Sequence, residues 1–242
     1  MLTGLENQEN YESNKPPSFS ITVTTVLFAI AEQSFKVLLT QRETPPFRDA
    51  WEIPSDLVLP YENLEDTARR ILKEKTGAQW QQNFLEQLAT YGDLDRDPQK
   101  RTITVAYWAI VSNLSALNKD EKFGNTELVD VLEVEDSLVK LAFDHKQLLG
   151  DAINRARTKL EYSTTATKFC QEEFSLSELR DVYNIVWNTE LDPGNFQRKI
   201  LQTEGYVTPL EKKRIPDDRG GRPALLFKAG PSKVIFPPLT RH

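Results

Sequence analysis

The sequence contains little cysteine, little histidine and no long apolar stretch. Cys170 is the single cysteine, so an intramolecular disulfide cannot form, and with two histidines there is no Cys/His cluster for zinc. Uninterrupted apolar runs, such as residues 26–31, are far shorter than the roughly 20 residues that a membrane-spanning helix requires. The N-terminal residues also lack the basic start and apolar core of a signal peptide. These absences predict a cytoplasmic protein with no membrane partner.

The composition is that of a globular protein, and its charge is unevenly distributed. Hydrophobic residues make up 39% and charged residues 27%, a balance that excludes disordered and membrane classes. The net charge is −6. Residues 151–242 hold 15 Lys and Arg against 12 Asp and Glu, whereas residues 1–150 hold 15 against 24. A mildly basic carboxyl third on an acidic protein suggests an acidic partner for one domain only.

The first half of the chain has the pattern of an α+β domain. Residues 1–17 are polar and end in a Pro-Pro pair, which predicts a disordered tail. An amphipathic helix is predicted from Asn63 to Thr76, with Gly77 as its end. Strand patterns are found at residues 19–30, 35–39, 84–91, 102–111 and 127–134. One helix among mixed strands predicts an α/β/α sandwich with a mixed sheet over residues 18–142.

From residue 143 onward the pattern is mostly helical. Asp144 is placed to cap a linker helix over residues 143–163, and Ser175 with Glu178 forms a capping-box pattern. Asp192-Pro193 begins another helix, predicted to end at Gly205, and a hairpin pattern with a basic, Gly-rich centre follows over residues 206–227. Helices followed by a hairpin predict a winged helix-turn-helix domain over residues 164–229. Residues 230–242 are left as a C-terminal tail.

Residues 51–78 resemble the Nudix box, a loop and helix that hold magnesium against a pyrophosphate. The positions that match the motif are Glu62, Arg70, Leu72, Glu74 and Gly77. Arg42, the Pro-Phe pair at 46–47 and residues 51–54 upstream also resemble this family. The resemblance implies a Nudix-like fold for the first domain.

The departures from the motif fall on the metal-binding positions. Ile71 and Lys75 replace two of the carboxylates of the motif, and Ser55-Asp56 replaces its opening Gly-Gly pair. Glu74 remains on this face with an ammonium beside it, and repulsion by that ammonium disfavours a divalent cation. We therefore expect no metal, no cofactor, no catalytic residues and no enzymatic activity, with Ile71 in the core. The alternative is a Nudix pyrophosphohydrolase that acts on ADP-ribose-like substrates.

A Nudix-like fold without its metal site can still keep a ligand pocket. Arginine suits phosphate groups and aromatic side chains suit a nucleobase. The predicted effector-binding residues are Arg42, Phe47, Trp51, Arg96, Asp97 and Arg101. Each of them can also be explained as a surface ion pair or a packed aromatic residue. Because Asp56 lies in the phosphate loop and disfavours a diphosphate, a different phosphorylated metabolite is an alternative effector.

Beyond the Nudix box, a second resemblance is carried by residues 91–92, 95–98, 104–107, 141–145, 159–162, 174–179, 182–183, 191–192, 195–196, 198–199 and 222–224. With these segments the chain resembles the Nudix-related transcriptional regulators of NAD metabolism, the NrtR-type proteins. The resemblance implies a homodimeric repressor of NAD-metabolism genes that binds a palindromic operator in double-stranded DNA. It also implies that the Nudix-like domain senses a nucleotide such as ADP-ribose.

The expected recognition helix has a polar face. Asn195, Arg198, Lys199 and Gln202 fall at i, i+3, i+4 and i+7, and side chains of these types read base edges or contact phosphates. The predicted DNA-binding residues are Asn195, Gln197, Arg198, Lys199, Gln202, Lys213, Arg214, Arg219 and Arg222. Because Pro193-Gly194 and Gln197 replace a basic run of the relatives, we expect weaker and less salt-dependent binding.

Two further interpretations concern His145 and the winged domain. His145 is more simply explained as a packed residue of the interdomain joint than as a pH-sensitive group. A third functional hypothesis is an interaction protein whose winged domain contacts another protein instead of DNA.

Overall fold

The computed structural model describes residues 18–77, 84–112, 125–214 and 223–241. The predicted disordered tail and the predicted wing residues Arg219 and Arg222 lie outside these ranges. In the part of the chain that is described, no helix is both long and apolar enough to cross a membrane.

The first domain is built on a seven-stranded mixed sheet. Its strands are β1 (Ser20–Ala31), β2 (Ser34–Gln41), β3 (Trp51–Glu52), β4 (Ser55–Leu57), β5 (Leu85–Tyr91), β6 (Thr102–Val111) and β7 (Thr126–Asp130). The main path runs β3-β2-β1-β6-β5, while β4 pairs with β1 and β7 pairs with β2. β1 is parallel to β6 and antiparallel to β2. Both central strands are buried on consecutive positions, as expected for strands that are covered on both faces.

Helix α1 (Leu64–Thr76) begins and ends where the sequence predicted. The Asn63 side chain accepts a hydrogen bond from the Asp66 amide at 2.9 Å, and Gly77 closes the helix with φ 69°. Ala68 and Ile71 pack in a cluster with Val23 of β1, which confirms that Ile71 is a core residue.

The predicted strand over residues 127–134 is wrong in its second half. The strand ends at Asp130, and helix α2 (Val131–Glu135) follows. The Asp130 carboxylate accepts a hydrogen bond from the Leu132 amide at 2.9 Å, so this residue caps a helix. The apolar residues of this short segment fit either structure, and the side-chain cap decides between them.

Helix α3 (His145–Tyr162) is packed along most of its length. Its buried residues Leu148, Ala152, Ala156 and Leu160 belong to one apolar cluster that extends from the sheet into the second domain. Asp144 precedes α3, but it does not cap the helix as predicted, because its carboxylate is bound by Arg96.

The second domain has the winged-helix layout. It contains a 3-10 helix (Thr164–Lys168), helices α4 (Leu176–Trp187) and α5 (Pro193–Gln202), and strands β8 (Phe174–Ser175), β9 (Val207–Arg214) and β10 (Ala224–Ala229). The strands form a sheet in the order β8-β10-β9. The predicted capping box between Ser175 and Glu178 is present. Helix α5 ends at Gln202, short of Gly205, because Thr203 already has extended backbone angles.

Residues 230–241, hereafter the C-terminal strap, form an ordered segment of the fold. Ile235 is fully buried in the main cluster, and Leu239 packs against it. The strap therefore belongs to the folded structure, whereas the sequence suggested a tail.

Candidate functional site

A polar cleft lies beside β1 and β4 of the first domain. Its volume is about 330 Å³, at the lower end of the range for small-molecule sites. Its lining residues are Thr22, Arg42, Pro46, Glu52, Ser55, Asp56, Leu57, Arg96, Asp97, Gln99, Lys100, Thr102, Phe143 and His145. Three of the predicted effector residues, Arg42, Arg96 and Asp97, are therefore brought together.

Arg42 is held in place by its surroundings. Its Nη1 forms an ion pair with Glu52, and its Nε donates to the Pro46 carbonyl at 2.8 Å. The guanidinium lies 4.8 Å from the centre of the Phe143 ring, within the range of a cation–π contact. These contacts present a cation and an aromatic ring together in the cleft.

Arg96 is buried and its charge is balanced. Its Nε and Nη2 each donate to an oxygen of Asp144 at 2.9 Å, a bidentate ion pair. Asp97 accepts hydrogen bonds from the Gln99 amide at 3.0 Å and from the Thr102 hydroxyl at 3.1 Å, so it shapes the neighbouring loop.

Phe47 lines an adjacent cavity of about 410 Å³ that shares Arg96 and Phe143 with the cleft. The rings of Phe47 and Phe143 meet edge to face, with centroids 5.0 Å apart. Phe143 and Lys100 were missed by the sequence reasoning. Phe143 lies inside the segment 141–145 that carried the family resemblance, so its position could have drawn attention to it.

Trp51 and Arg101 are placed elsewhere. Trp51 is half-buried against the main apolar cluster and bridges to Leu141 through its backbone. Arg101 donates to the Asp93 carbonyl at 2.9 Å, and its guanidinium lies 5.7 Å from the Phe19 ring. The plainer explanations, a packed aromatic and a surface contact, fit these two residues.

His145 is buried at the base of the cleft. Its Nδ1 accepts a hydrogen bond from the Ile53 amide at 3.0 Å. Burial, with a smaller contribution from the positive charges of Arg96 and Arg42, lowers the pKa of His145 to about 3. The imidazole is therefore neutral at physiological pH, as expected for a packed residue.

Arg70 of the Nudix-box helix lies among three acidic residues, two of which precede the helix. Arg70 forms ion pairs with Glu62 at 2.8 Å and Asp56 at 2.7 Å, and its Nη1 lies 3.5 Å from Glu74. The hydrogen bond from Arg70 is the main cause that lowers the pKa of Glu62. Because Arg70 counters the charge of Asp56, the expectation that Asp56 repels a diphosphate loses part of its basis.

The residues at this helix do not fit a magnesium ion. Ile71 and Lys75 stand at positions where the motif has carboxylates, and Ile71 has its side chain in the core. Among residues 18–77, 84–112, 125–214 and 223–241, no group of three or more His, Cys, Asp and Glu side chains could hold a metal ion.

Helix α5 presents a polar face to solvent. Phe196 and Ile200 are buried, while the exposed residues of the helix include Asn195, Gln197, Arg198 and Gln202. The Nη2 of Arg198 donates to Oδ1 of Asn195 at 2.6 Å, so the two side chains are aligned.

Lys199 differs from its predicted position on that face. It is half-buried on the flank of α5, and its Nζ donates to the Pro237 carbonyl in the C-terminal strap. In β9, Lys213 is exposed, whereas Arg214 binds Oε1 of Glu178 at 2.7 Å and the Glu173 carbonyl at 2.9 Å.

Both domains match known family models. Residues 20–151 match the NUDIX domain, and residues 166–229 match the NrtR DNA-binding winged helix domain. The chain is 31% identical over 221 residues to the ADPR responsive transcriptional repressor NtrR of Acinetobacter baylyi, covering 90% of this chain and 85% of the relative. It is also 31% identical over 126 residues to an ADP-ribose pyrophosphatase of Methanocaldococcus jannaschii, covering 50% of this chain and 68% of that protein.

Solved structures resemble the whole chain and its first domain. Shewanella oneidensis NrtR complexed with a 27mer DNA matches with TM-score 0.78 and 30% identity, covering 91% of this chain and 99% of that one. The NUDIX domain of the same protein complexed with ADP ribose matches with TM-score 0.51 and 32% identity, covering 64% of this chain and 99% of that one.

Proposed function

The chain belongs to the NrtR family of Nudix-related transcriptional regulators, and we propose on that premise that it represses transcription by binding DNA through its winged domain under the control of a nucleotide. The observation that carries the DNA-binding part is the exposed face of α5, where Asn195, Arg198 and Gln202 stand side by side. Amide and guanidinium groups on one helix face match the donors and acceptors of base edges in the major groove.

The effector part of the proposal rests on the cleft. Arg42 and Lys100 offer positive charge to a diphosphate, and the rings of Phe47 and Phe143 offer apolar faces to a base. A nucleotide of the ADP-ribose type has both a diphosphate and a base, and therefore matches these residues. Its affinity for two arrangements of the winged domains would differ, and this difference would shift DNA binding.

We also propose that the protein is not a hydrolase. Ile71 in the core and Lys75 beside Glu74 support this, because each stands where the motif has a metal-binding carboxylate. The test is incubation with ADP-ribose and Mg²⁺ or Mn²⁺, followed by assay for AMP, with an active Nudix pyrophosphatase as the positive control. Release of AMP at a rate near that of the control would make the protein an enzyme.

The assembly and domain roles are also part of the proposal. The protein acts in the cytoplasm as a homodimer on a palindromic operator that controls NAD-metabolism genes. Residues 18–142 sense the effector, residues 143–163 link the domains, and residues 164–229 bind DNA. Sedimentation of the protein with and without operator DNA tests the dimer.

The decisive experiment is a mobility shift with duplexes from the regions upstream of its own and neighbouring genes. ADP-ribose, NAD and phosphorylated sugars are then added to the complex. We expect a specific shift that ADP-ribose reduces. Binding that no nucleotide changes would reject the sensor part, and release by a phosphorylated sugar alone would favour the alternative effector. If no duplex is bound but a protein partner is, the winged domain is a protein-contact module.

A further inference from the structure

The C-terminal strap closes the exposed end of helix α3. The amides of Ile235 and Leu239 each donate at 2.8 Å to the carbonyls of Tyr162 and Glu161. These carbonyls belong to the last turn of α3, where the helix itself supplies no donor. Arg241 adds an ion pair with Glu161 at 2.5 Å. The strap thus serves as the C-terminal cap of α3.

The strap also forms hydrogen bonds with the second domain. The Gly230 amide donates to the Tyr206 carbonyl at 2.8 Å, and the Ser232 amide donates to the Gly205 carbonyl at 2.9 Å. A Cβ at Gly230 would lie 2.0 Å from the Gly205 carbonyl oxygen, so this close approach requires glycine. Lys199 of α5 then donates its Nζ to the Pro237 carbonyl.

We propose that the C-terminal strap positions the recognition helix α5 relative to α3, and that Lys199 is the positioning residue through which it does so. The inference rests on the proposed DNA-binding function and extends it beyond residues 166–229, where the winged-helix family match ends. Lys199 lies on the flank of α5, beside the face formed by Asn195, Arg198 and Gln202. Its ammonium therefore fixes the angle of the helix to the strap, while other side chains contact the base edges.

A double-mutant cycle tests this role. The four proteins are the full chain, a chain that ends at Ile235, the Lys199→Met variant, and the combination of the two changes. The shortened chain keeps the buried Ile235 and the Val234 bridge to Ser163 but loses the acceptor of Lys199. The dissociation constant for the duplex upstream of its own gene is measured at several salt concentrations.

Each single change is expected to weaken DNA binding about tenfold, equal to about 1.4 kcal/mol. The combined variant is expected to bind DNA little more weakly than either single variant. The slope of affinity against salt concentration stays constant, because no phosphate contact is lost. The proposal is overturned if Lys199→Met weakens DNA binding equally in the full and the shortened chain and reduces the steepness of log affinity against log salt concentration by about 0.9. Lys199 would then be a direct phosphate contact. Unchanged or tighter binding by the shortened chain would also overturn it.

Two controls distinguish the positioning role of the strap from other causes of weaker DNA binding. Arg241→Gln in the full chain shows whether the charge lost on shortening affects the salt slope. The second control is hydrogen exchange of the amides in the absence of DNA. It needs only the Lys199→Met variant of the full chain, so it can be done even if the shortened chain does not fold. We expect faster exchange of α5 amides and unchanged exchange in α1, and unchanged α5 exchange would reject the strap's role. If the full chain binds no duplex while α5 exchange responds as expected, the proposed function fails and the positioning contact stands.

Discussion

At the scale of single residues, the pairing of each charged group decides which side chains can meet a ligand. Arg96 is bound by both oxygens of Asp144, and Arg101 is engaged by the Asp93 carbonyl away from the cleft. Arg42 is also paired, with Glu52, but its guanidinium lines the cleft and lies 4.8 Å from the centre of the Phe143 ring. Arginines that look equivalent in the sequence therefore differ in what they can bind.

The Arg42→Met variant is expected to weaken the effect of ADP-ribose on DNA binding about tenfold, because one charge-assisted contact to phosphate is lost. Arg101→Met is the matched control, since it removes the same group outside the cleft. A titration of the DNA complex with ADP-ribose measures both variants. Equal losses in the two variants would contradict the location of the effector site.

His145 gives a pH dependence with a defined sign. Its pKa is lowered from 6.5 to about 3, so between these values the unfolded chain binds a proton that the folded chain does not. The free energy of unfolding should therefore fall as the pH drops from about 6.5, with a slope of up to about 1.4 kcal/mol per pH unit. Above that range the contribution is fully present.

Urea unfolding at pH 7, 6, 5 and 4 checks this expectation against the His145→Gln variant. Glutamine can still accept the hydrogen bond of the Ile53 amide but does not titrate. The variant should lose less stability on acidification than the original chain. Parallel curves would show that His145 does not contribute.

At the scale of elements, the helix ends are set by side chains that cap them. Ser175 accepts from the Glu178 amide at 3.2 Å, and the Glu178 carboxylate accepts from the Ser175 amide at 2.6 Å. Helix α4 carries Tyr183, which packs on Phe196 of α5 with centroids 5.4 Å apart. The cap of α4 thus supports the placement of the recognition helix.

Ser175→Ala should lower the free energy of unfolding by about 1 kcal/mol, the usual cost of losing an N-cap. Ser177→Ala, two residues later on the exposed side of α4, is the control and should change stability by less than about 0.5 kcal/mol. Chemical denaturation followed by circular dichroism measures both. A similar loss in the two variants would argue against the cap.

The exposed face of α5 predicts a loss of DNA binding without a loss of stability. Arg198→Ala should weaken operator binding by about tenfold or more, because an arginine contact in a groove contributes about 1–3 kcal/mol. Lys73→Ala, which removes an exposed positive charge on α1, is the control. Fluorescence anisotropy with a labelled duplex measures both, and equal affinity of Arg198→Ala and the original chain would remove α5 from the interface.

At the scale of the whole molecule, Arg157 ties the two domains together. Its Nη1 and Nη2 bind both oxygens of Glu135 at 2.6 and 2.9 Å, and its Nε donates to the Val186 carbonyl at 3.0 Å. The Arg157 carbonyl in turn accepts from the Trp187 indole at 3.0 Å. One residue of α3 thus joins α2 of the first domain to the end of α4, beside an interdomain cavity of about 570 Å³.

Arg157→Met should lower the free energy of unfolding by about 2 kcal/mol, because hydrogen bonds with a charged partner are lost at a partly buried joint. Arg48→Met, at an exposed loop position, should have little effect. Thermal and urea unfolding compare the two variants. Equal stability of both variants would show that the Arg157 contacts contribute nothing to the free energy of unfolding.

Local patterns were sufficient for much of the fold and for the departures from the Nudix motif. The α1 boundaries, the Ser175 capping box and the core position of Ile71 follow from side-chain spacing and from caps, which act within one or two turns. The replacement of acidic residues by Ile71 and Lys75 is likewise a property of the residues themselves.

Tertiary structure alone decided the partners of the charged groups and the role of the strap. Arg70 meets Asp56 across 14 positions, Arg96 meets Asp144 across 48, and Lys199 meets Pro237 across 38. No sequence period connects such distant positions, because packing of the sheet and helices brings them together. The sequence by itself determined the two domains and the replacement of two carboxylates of the Nudix motif, while the folded chain determined which cations face the cleft or the exposed side of α5.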